Sequence, residues 1–188
     1  RYQLRALIRA GEGKDLNIML PMVAEVREVE GVRKLIATEL AREKALGSKL
    51  PRKVRLGAML EVPALAYQLS QLLPHIDFLS VGSNDLFQFF YAIDRDIPKH
   101  STRYDVLSPT FLTLLKNIQD HCEKAQVPVS VCGEMAGHPL EALALIGLGY
   151  KTLSMSAAAV PSIKIMLRSL NYQQIQDHMT SACSSLQT

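Results

Sequence analysis

Two acidic side chains stand just beyond predicted buried strands of this chain. Glu61 follows the apolar run at residues 54–60, and Asp85 follows the run at residues 77–82. Because neighbouring parallel strands end at the same edge of a sheet, both carboxylates are expected to face one mouth. Mg²⁺ takes one or two protein carboxylates and leaves its other positions to water and substrate oxygens. The pair therefore predicts a magnesium site, although either acid taken alone is more often a solvated strand-end residue or, for Asp85, a helix cap.

Two polar residues near this pair have the chemistry to bind a phosphoryl group. Asn84 can donate its amide hydrogens to a phosphoryl or carboxylate oxygen, whereas a second aspartate would repel an anion. Arg95 stands between Asp94 and Asp96 on a long polar stretch, and its planar guanidinium can hold a phosphate through two hydrogen bonds. The alternatives are an ordinary turn residue for Asn84 and a surface ion pair for Arg95.

A cysteine follows the fourth predicted strand. Cys132 comes directly after residues 127–131 and before Gly133, which allows a tight turn that would point the thiol into the mouth. A free thiol is mostly protonated at neutral pH, so it can protonate a carbanion, and its thiolate is a nucleophile. Cys122 and Cys183 lie on apolar helical faces, where a buried and inert thiol is expected.

The elements that position these residues alternate regularly along the chain. Apolar runs predict strands over residues 16–22, 54–60, 77–82, 127–131 and 152–155. Helical periodicity predicts helices over residues 24–46, 63–73, 85–93, 109–125, 139–148, 161–170 and 171–186. This alternation predicts an α/β fold with a parallel sheet covered by helices. Because the polar residues gather just after the strands, we expect a partial (β/α)₈ barrel, about strands 4 to 8.

Composition excludes several classes of function. The 188 residues are 48% hydrophobic and carry a formal net charge of +3, with 21 basic and 18 acidic residues interspersed. We therefore expect a single globular unit over residues 1–188 that binds neither nucleic acid nor an anionic membrane. Three cysteines at unrelated spacings, with no signal peptide or long apolar run, favour a reduced, cytoplasmic protein.

Five ordered motifs at the strand ends resemble one known family. The segments are IMLPM, MLEVPAL, SVGSNDLFQF followed by AIDR, VSVCGEMAGHP and LSMSAAAVP. They resemble the C-terminal barrel of the PEP-utilising enzymes, and within that family the nitrogen-related Enzyme I most closely. The resemblance implies that Glu61 and Asp85 bind Mg²⁺, that Asn84 and Arg95 contact the phosphoryl group of PEP, and that Cys132 protonates the enolate carbon.

The resemblance also implies a reaction and its partners. In the family, PEP phosphorylates a histidine of a separate N-terminal domain, which passes the phosphoryl group to a carrier protein of the HPr or NPr kind. That histidine domain and the first three barrel strands would precede Arg1, so the 188 residues alone are expected to be inactive and to bind PEP weakly. Exposed strand edges make a homodimer the expected assembly. The alternatives are a Mg²⁺-dependent pyruvate-enolate lyase, which would not need Cys132, and a non-catalytic, PEP-regulated dimerisation module.

Overall fold

A computed structural model of the chain describes residues 1–94 and 103–184, with the side chains of Thr180 and residues 182–184 excepted. Its sheet has five strands: β1 (Asp15–Leu20), β2 (Lys53–Leu60), β3 (Phe78–Gly82), β4 (Val129–Cys132) and β5 (Leu153–Ser154). All adjacent pairs are parallel, and the spatial order is the order along the chain. The predicted parallel α/β architecture is therefore confirmed, and its consecutive strand order is that of part of a (β/α) barrel.

Helices connect and cover the strands. They are α1 (Tyr2–Ala10), α2 (Val26–Ala45), α3 (Pro63–Ala66), α4 (Leu69–Leu72), α5 (Ser83–Phe90), α6 (Pro109–Lys124), α7 (Pro139–Gly147), α8 (Val160–Arg168) and α9 (Tyr172–Ser184). Short 3₁₀ turns at Leu73–His75 and Glu134–Ala136 complete the described elements. No helix of the described residues is both long enough and apolar enough to cross a membrane.

The two faces of the sheet differ because successive side chains of a strand point to opposite sides. One face packs beneath the helices and carries a set of buried apolar residues: Ile18, Leu56, Ala58, Leu60, Leu79, Val81 and Val131. The other face carries Met19, Met59, Phe78, Ser80, Cys132 and Ser154, the positions that alternate with the buried set. The thiol of Cys132 therefore lies on the face that becomes the interior when such a sheet curves into a barrel.

Several element boundaries differ from the prediction, and two of these differences have a local cause. The helix predicted over residues 63–73 divides into α3 and α4, because the Gln68 side chain bonds the Ala64 carbonyl at 3.1 Å and the Ala24 carbonyl at 2.9 Å. A side-chain amide thus takes the carbonyl that the next helical turn would use. Strand β4 begins two residues later than predicted, after Pro128, which has no N–H to donate to the sheet.

Helix α1 is held on α2 by a ladder of ion pairs. Arg1 and Arg5 donate to Glu39 at 2.9 and 2.6 Å, and Arg9 donates to Glu43 at 2.9 Å. Both glutamate side chains are fully buried. The hydrogen bonds from Arg5 and Arg1 lower the pKa of Glu39 to about 2, and the bond from Arg9 lowers the pKa of Glu43. These buried carboxylates are therefore charged and paired at neutral pH.

Candidate active site

Glu61 is a buried carboxylate directly after β2. Only 4% of its surface is exposed, and its Oε1 accepts the backbone N–H of Met22 at 2.6 Å. Its Oε2 lies against the end of β3, where a Cβ added to Gly82 would be 3.0 Å away. The absence of a side chain at Gly82 therefore leaves the space that the Glu61 carboxylate occupies.

Glu61 differs from the two other buried glutamates in its partners. Glu39 and Glu43 are each neutralised by arginines of α1. Within residues 1–94 and 103–184, by contrast, no lysine, arginine or histidine forms an ion pair with Glu61. A buried carboxyl group needs hydrogen-bond donors or a cation, and the donor observed for Glu61 is the backbone N–H of Met22.

Asn84 lies on the first turn of α5 and is oriented by the neighbouring strand end. Its Oδ1 accepts the backbone N–H of Glu134 at 3.1 Å, which leaves Nδ2 as the amide group that can donate to a ligand. The preceding Ser83 donates its hydroxyl to the Cys132 carbonyl at 2.8 Å. These two bonds tie the start of α5 to the turn after β4, so Asn84 and Cys132 are held in one local arrangement.

Gly133 is the point where the turn after β4 touches the start of α5. Its φ of 111° and ψ of 179° lie in a region that is essentially restricted to glycine. A Cβ at this position would overlap Ser83 Oγ and lie 2.7 Å from Asn84 Oδ1. The sequence predicted that Gly133 permits a tight turn, but it gave no signal that the turn packs against Asn84.

Cys132 is half-buried and paired in register with Gly82. Its thiol donates to the Val81 carbonyl at 3.4 Å and accepts from Ser80 Oγ at 3.6 Å. Cys122 is fully buried on α6, and burial raises its thiol pKa to about 12. Cys122 is therefore inert as predicted. The Cys132 thiol lies at the carboxyl edge of the sheet, the same edge at which Glu61 follows β2.

Asp85 lies inside α5, three residues after Gly82, and is half-buried. The alternative that it caps this helix is wrong, because the cap position is Gly82, and the alternative that Asn84 is a turn residue is wrong because Asn84 is helical. Arg95 lies outside the described residues. Glu61, Asn84 and Cys132 are thus brought to one edge by neighbouring strands, and Asp85 follows on the same helix as Asn84.

Magnesium needs few protein ligands. Mg²⁺ is typically bound by one or two protein carboxylates together with substrate phosphate oxygens, rather than by an all-protein cage. Within the described part of the chain no three histidine, cysteine or acidic residues cluster as a metal site, so a larger protein ligand set is not present there. The Glu61 carboxylate is buried, its Oε1 accepts an N–H, and it has no cationic side-chain partner within the described ranges, which is compatible with such a role.

A cavity of about 270 Å³ adjoins the site on the side of Asn84. It is lined by Ser83, Asn84, Phe87, Ile93, Val106, Glu134, Met135, His138 and Glu141. Sequence reasoning missed the contribution of Ser83, whose hydroxyl supports Cys132, and of the Met22 backbone, which holds Glu61. Ser83 is part of the polar run that marks the strand end, but a backbone N–H leaves no signal in a sequence.

Comparison with known proteins gives a consistent result. Residues 1–172 match the family model described as "PEP-utilising enzyme, PEP-binding domain". The chain is 41% identical over 176 residues to a phosphoenolpyruvate-dependent phosphotransferase system protein of Salmonella typhimurium, covering 93% of this chain and 23% of that protein. It is 37% identical over 175 residues to a phosphoenolpyruvate-protein phosphotransferase of Listeria monocytogenes, covering 93% and 31% respectively.

Two further similarities extend this comparison. Multiphosphoryl transfer protein 1 of Escherichia coli is 34% identical over 183 residues, which cover 97% of this chain and 22% of that protein. The chain thus spans between a fifth and a third of the length of these curated relatives. A citrate lyase structure from Burkholderia xenovorans has a TM-score of 0.63 at 16% identity, covering 99% of this chain and 68% of that one. This last likeness is one of fold alone.

Proposed function

The chain belongs to the family of PEP-utilising enzymes, whose PEP-binding domain it matches, and from this premise we propose that it binds PEP together with Mg²⁺ at the carboxyl edge of β2, β3 and β4. The observation that carries the proposal is the buried Glu61 carboxylate, which has no cationic side-chain partner among the described residues and lies against Gly82, the register partner of Cys132. The family membership supplies the substrate class.

Each residue of the proposed site has a role that its chemistry supports. Glu61 and Asp85 hold Mg²⁺, which when bound offsets negative charge on the phosphoryl group and on the enolate. Asn84 donates through Nδ2 to a phosphoryl oxygen, in the orientation that the Glu134 N–H imposes. Arg95 is proposed as a further phosphoryl contact.

Cys132 is proposed as the general acid. When the P–O bond of PEP breaks, the enolate of pyruvate remains, and its C3 carbon needs one proton to become the methyl group. The Cys132 thiol gives that proton and is left as a thiolate, which is then reprotonated by solvent. The position of Cys132 on the open face of the sheet, one strand from Gly82, supports this role.

We also propose the activity and partners of the whole protein. The PEP-binding domain would serve a phosphoenolpyruvate-protein phosphotransferase, in which a histidine of an N-terminal domain receives the phosphoryl group and passes it to an HPr- or NPr-like carrier. The names of the relatives from Salmonella typhimurium and Listeria monocytogenes support this activity. A cytoplasmic homodimer is the assembly that we propose for it.

Metal binding tests the proposal directly. Mn²⁺ replaces Mg²⁺ in oxygen-ligand sites, and the electron paramagnetic resonance signal of free Mn²⁺ reports how much is bound. We expect one Mn²⁺ per chain, with the affinity reduced at least about tenfold by Glu61→Gln, because the ion loses a charged ligand. Glu123→Gln removes an exposed acid of α6 and serves as the matched control. Equal Mn²⁺ affinity in Glu61→Gln and Glu123→Gln would overturn the site.

A further inference from the structure

Met22 has a backbone conformation that is unusual for its residue type. Its φ is 53°, in the left-handed region that side chains other than glycine, asparagine and aspartate rarely adopt. The residue is 52% exposed, so tight packing of the methionine does not account for this conformation. The strain must therefore be offset by an interaction of the backbone itself.

The other two non-glycine residues with positive φ in the described chain have an ordinary explanation. Ala92 and Gln126 each follow the last turn of a helix, α5 and α6 respectively, where a left-handed residue commonly ends the helix. Met22 follows strand β1 rather than a helix, so helix termination does not account for it. The one interaction that distinguishes it is the 2.6 Å hydrogen bond from its N–H to Glu61 Oε1.

This hydrogen bond orients the Glu61 carboxylate and occupies one of the acceptor positions of Oε1. A short bond from an N–H to a carboxylate is among the stronger hydrogen bonds of a protein. Oε2 lies beside Gly82, the residue that pairs with Cys132, in space that any side chain at position 82 would fill. A cation at this edge of the sheet therefore meets a carboxylate that is already oriented.

We propose that Met22 is a positioning residue, whose left-handed backbone fixes the orientation in which the Glu61 carboxylate meets the metal. This inference rests on the proposed function, in which Glu61 is a Mg²⁺ ligand. Metal affinity is therefore expected to follow the tendency of the residue at position 22 to adopt a left-handed backbone conformation, and to be independent of the hydrophobicity of that residue. Glycine and asparagine keep the amide in place, whereas a β-branched residue moves it away.

A substitution series on the whole chain tests this ranking with Mn²⁺. We expect Met22→Gly and Met22→Asn to bind Mn²⁺ within about twofold of the unsubstituted chain, and Met22→Ile to bind about tenfold more weakly, equivalent to about 1.4 kcal/mol. Gln126→Ile is the matched control, because it places the same strain at an exposed turn away from the site. Its urea midpoint should fall as that of Met22→Ile does, while its Mn²⁺ affinity stays unchanged.

The backbone amide of Met22, observed in the protein without bound metal, gives a second and independent readout. The Met22 N–H resonance should lie downfield in a ¹H–¹⁵N spectrum and move upfield in Glu61→Ala, because the hydrogen-bond acceptor is removed. Mn²⁺ affinity that is equal in Met22→Ile and Gln126→Ile, or a Met22 resonance indifferent to Glu61→Ala, overturns the positioning role alone. Failure of the unsubstituted chain to bind Mn²⁺ overturns the metal assignment of Glu61, and the positioning proposal with it.

Discussion

Replacing Gly133 by alanine tests the contact between the two turns that hold Asn84 and Cys132. The φ of 111° and ψ of 179° at Gly133 are unfavourable for alanine, and the new Cβ would overlap Ser83 Oγ and crowd Asn84 Oδ1. Either the backbone must leave this region or both side chains must move. In each case the turn after β4 separates from the start of α5.

The magnitude follows from the interactions at this point. A residue held in such a region costs about 1–3 kcal/mol. The Ser83–Cys132 and Glu134–Asn84 hydrogen bonds, at 2.8 and 3.1 Å, contribute about 1 kcal/mol each. We therefore expect Gly133→Ala to lower the free energy of unfolding by roughly 2–5 kcal/mol, which at a urea m value of about 2 kcal/mol/M moves the midpoint down by about 1–2.5 M.

Alanine substitutions at two other glycines distinguish the cost of backbone strain from the cost of the steric contact. The assay is the same, urea unfolding followed by circular dichroism. Gly47 has a φ of 76° but nothing within 4 Å of an added Cβ, so Gly47→Ala should cost only the strain, about 1–2 kcal/mol. Gly31 lies exposed within α2 with the same open space, so Gly31→Ala should gain about 0.5–1 kcal/mol. A Gly133→Ala variant no less stable than Gly47→Ala would refute the packing of Gly133 against Ser83 and Asn84.

Two further predictions concern the ion-pair ladder and the thiol. Because Arg5 and Arg1 lower the pKa of Glu39 from 4.5 to about 2, the ladder stabilises the fold above pH 4.5, and that contribution is lost as the pH falls towards 2. Glu39→Gln should therefore flatten the dependence of the urea midpoint on pH between these values, and an unchanged slope would contradict the assignment. Cys132→Ala should slow the Mg²⁺-dependent exchange of pyruvate methyl protons with D₂O at least about 100-fold in nuclear magnetic resonance spectra. Undiminished exchange would favour a lyase-type site that does not need Cys132.

Much of the fold follows from the sequence because burial leaves a periodic signal. The apolar runs located all five strands, and the polar residues after them placed Glu61, Asn84 and Cys132 at one edge. The differences between predicted and observed elements have local causes. Gln68 divides a predicted helix by bonding a backbone carbonyl, and no periodicity of apolar residues records what a single polar side chain will bond.

The candidate site was predictable in its residue types and less so in its geometry. Strand-end chemistry pointed to Glu61 and Asn84, but the atoms that orient them are backbone N–H groups of Met22 and Glu134. Backbone groups are the same at every position except proline, so only the fold shows which of them face a side chain. The predicted role of Arg95 stays a prediction, because that residue lies outside the described part of the chain.

Protection of the Cys132 thiol tests most directly whether Glu61 and Cys132 serve one bound PEP molecule. The measurement is the rate at which iodoacetamide alkylates the Cys132 peptide, followed by mass spectrometry, with the buried Cys122 as an internal control that should stay unmodified while the fold is intact. We predict that PEP slows alkylation only when Mg²⁺ is present, and that Glu61→Gln abolishes this protection. Alkylation that PEP and Mg²⁺ leave unchanged, or slow equally in Glu61→Gln, would contradict a shared site.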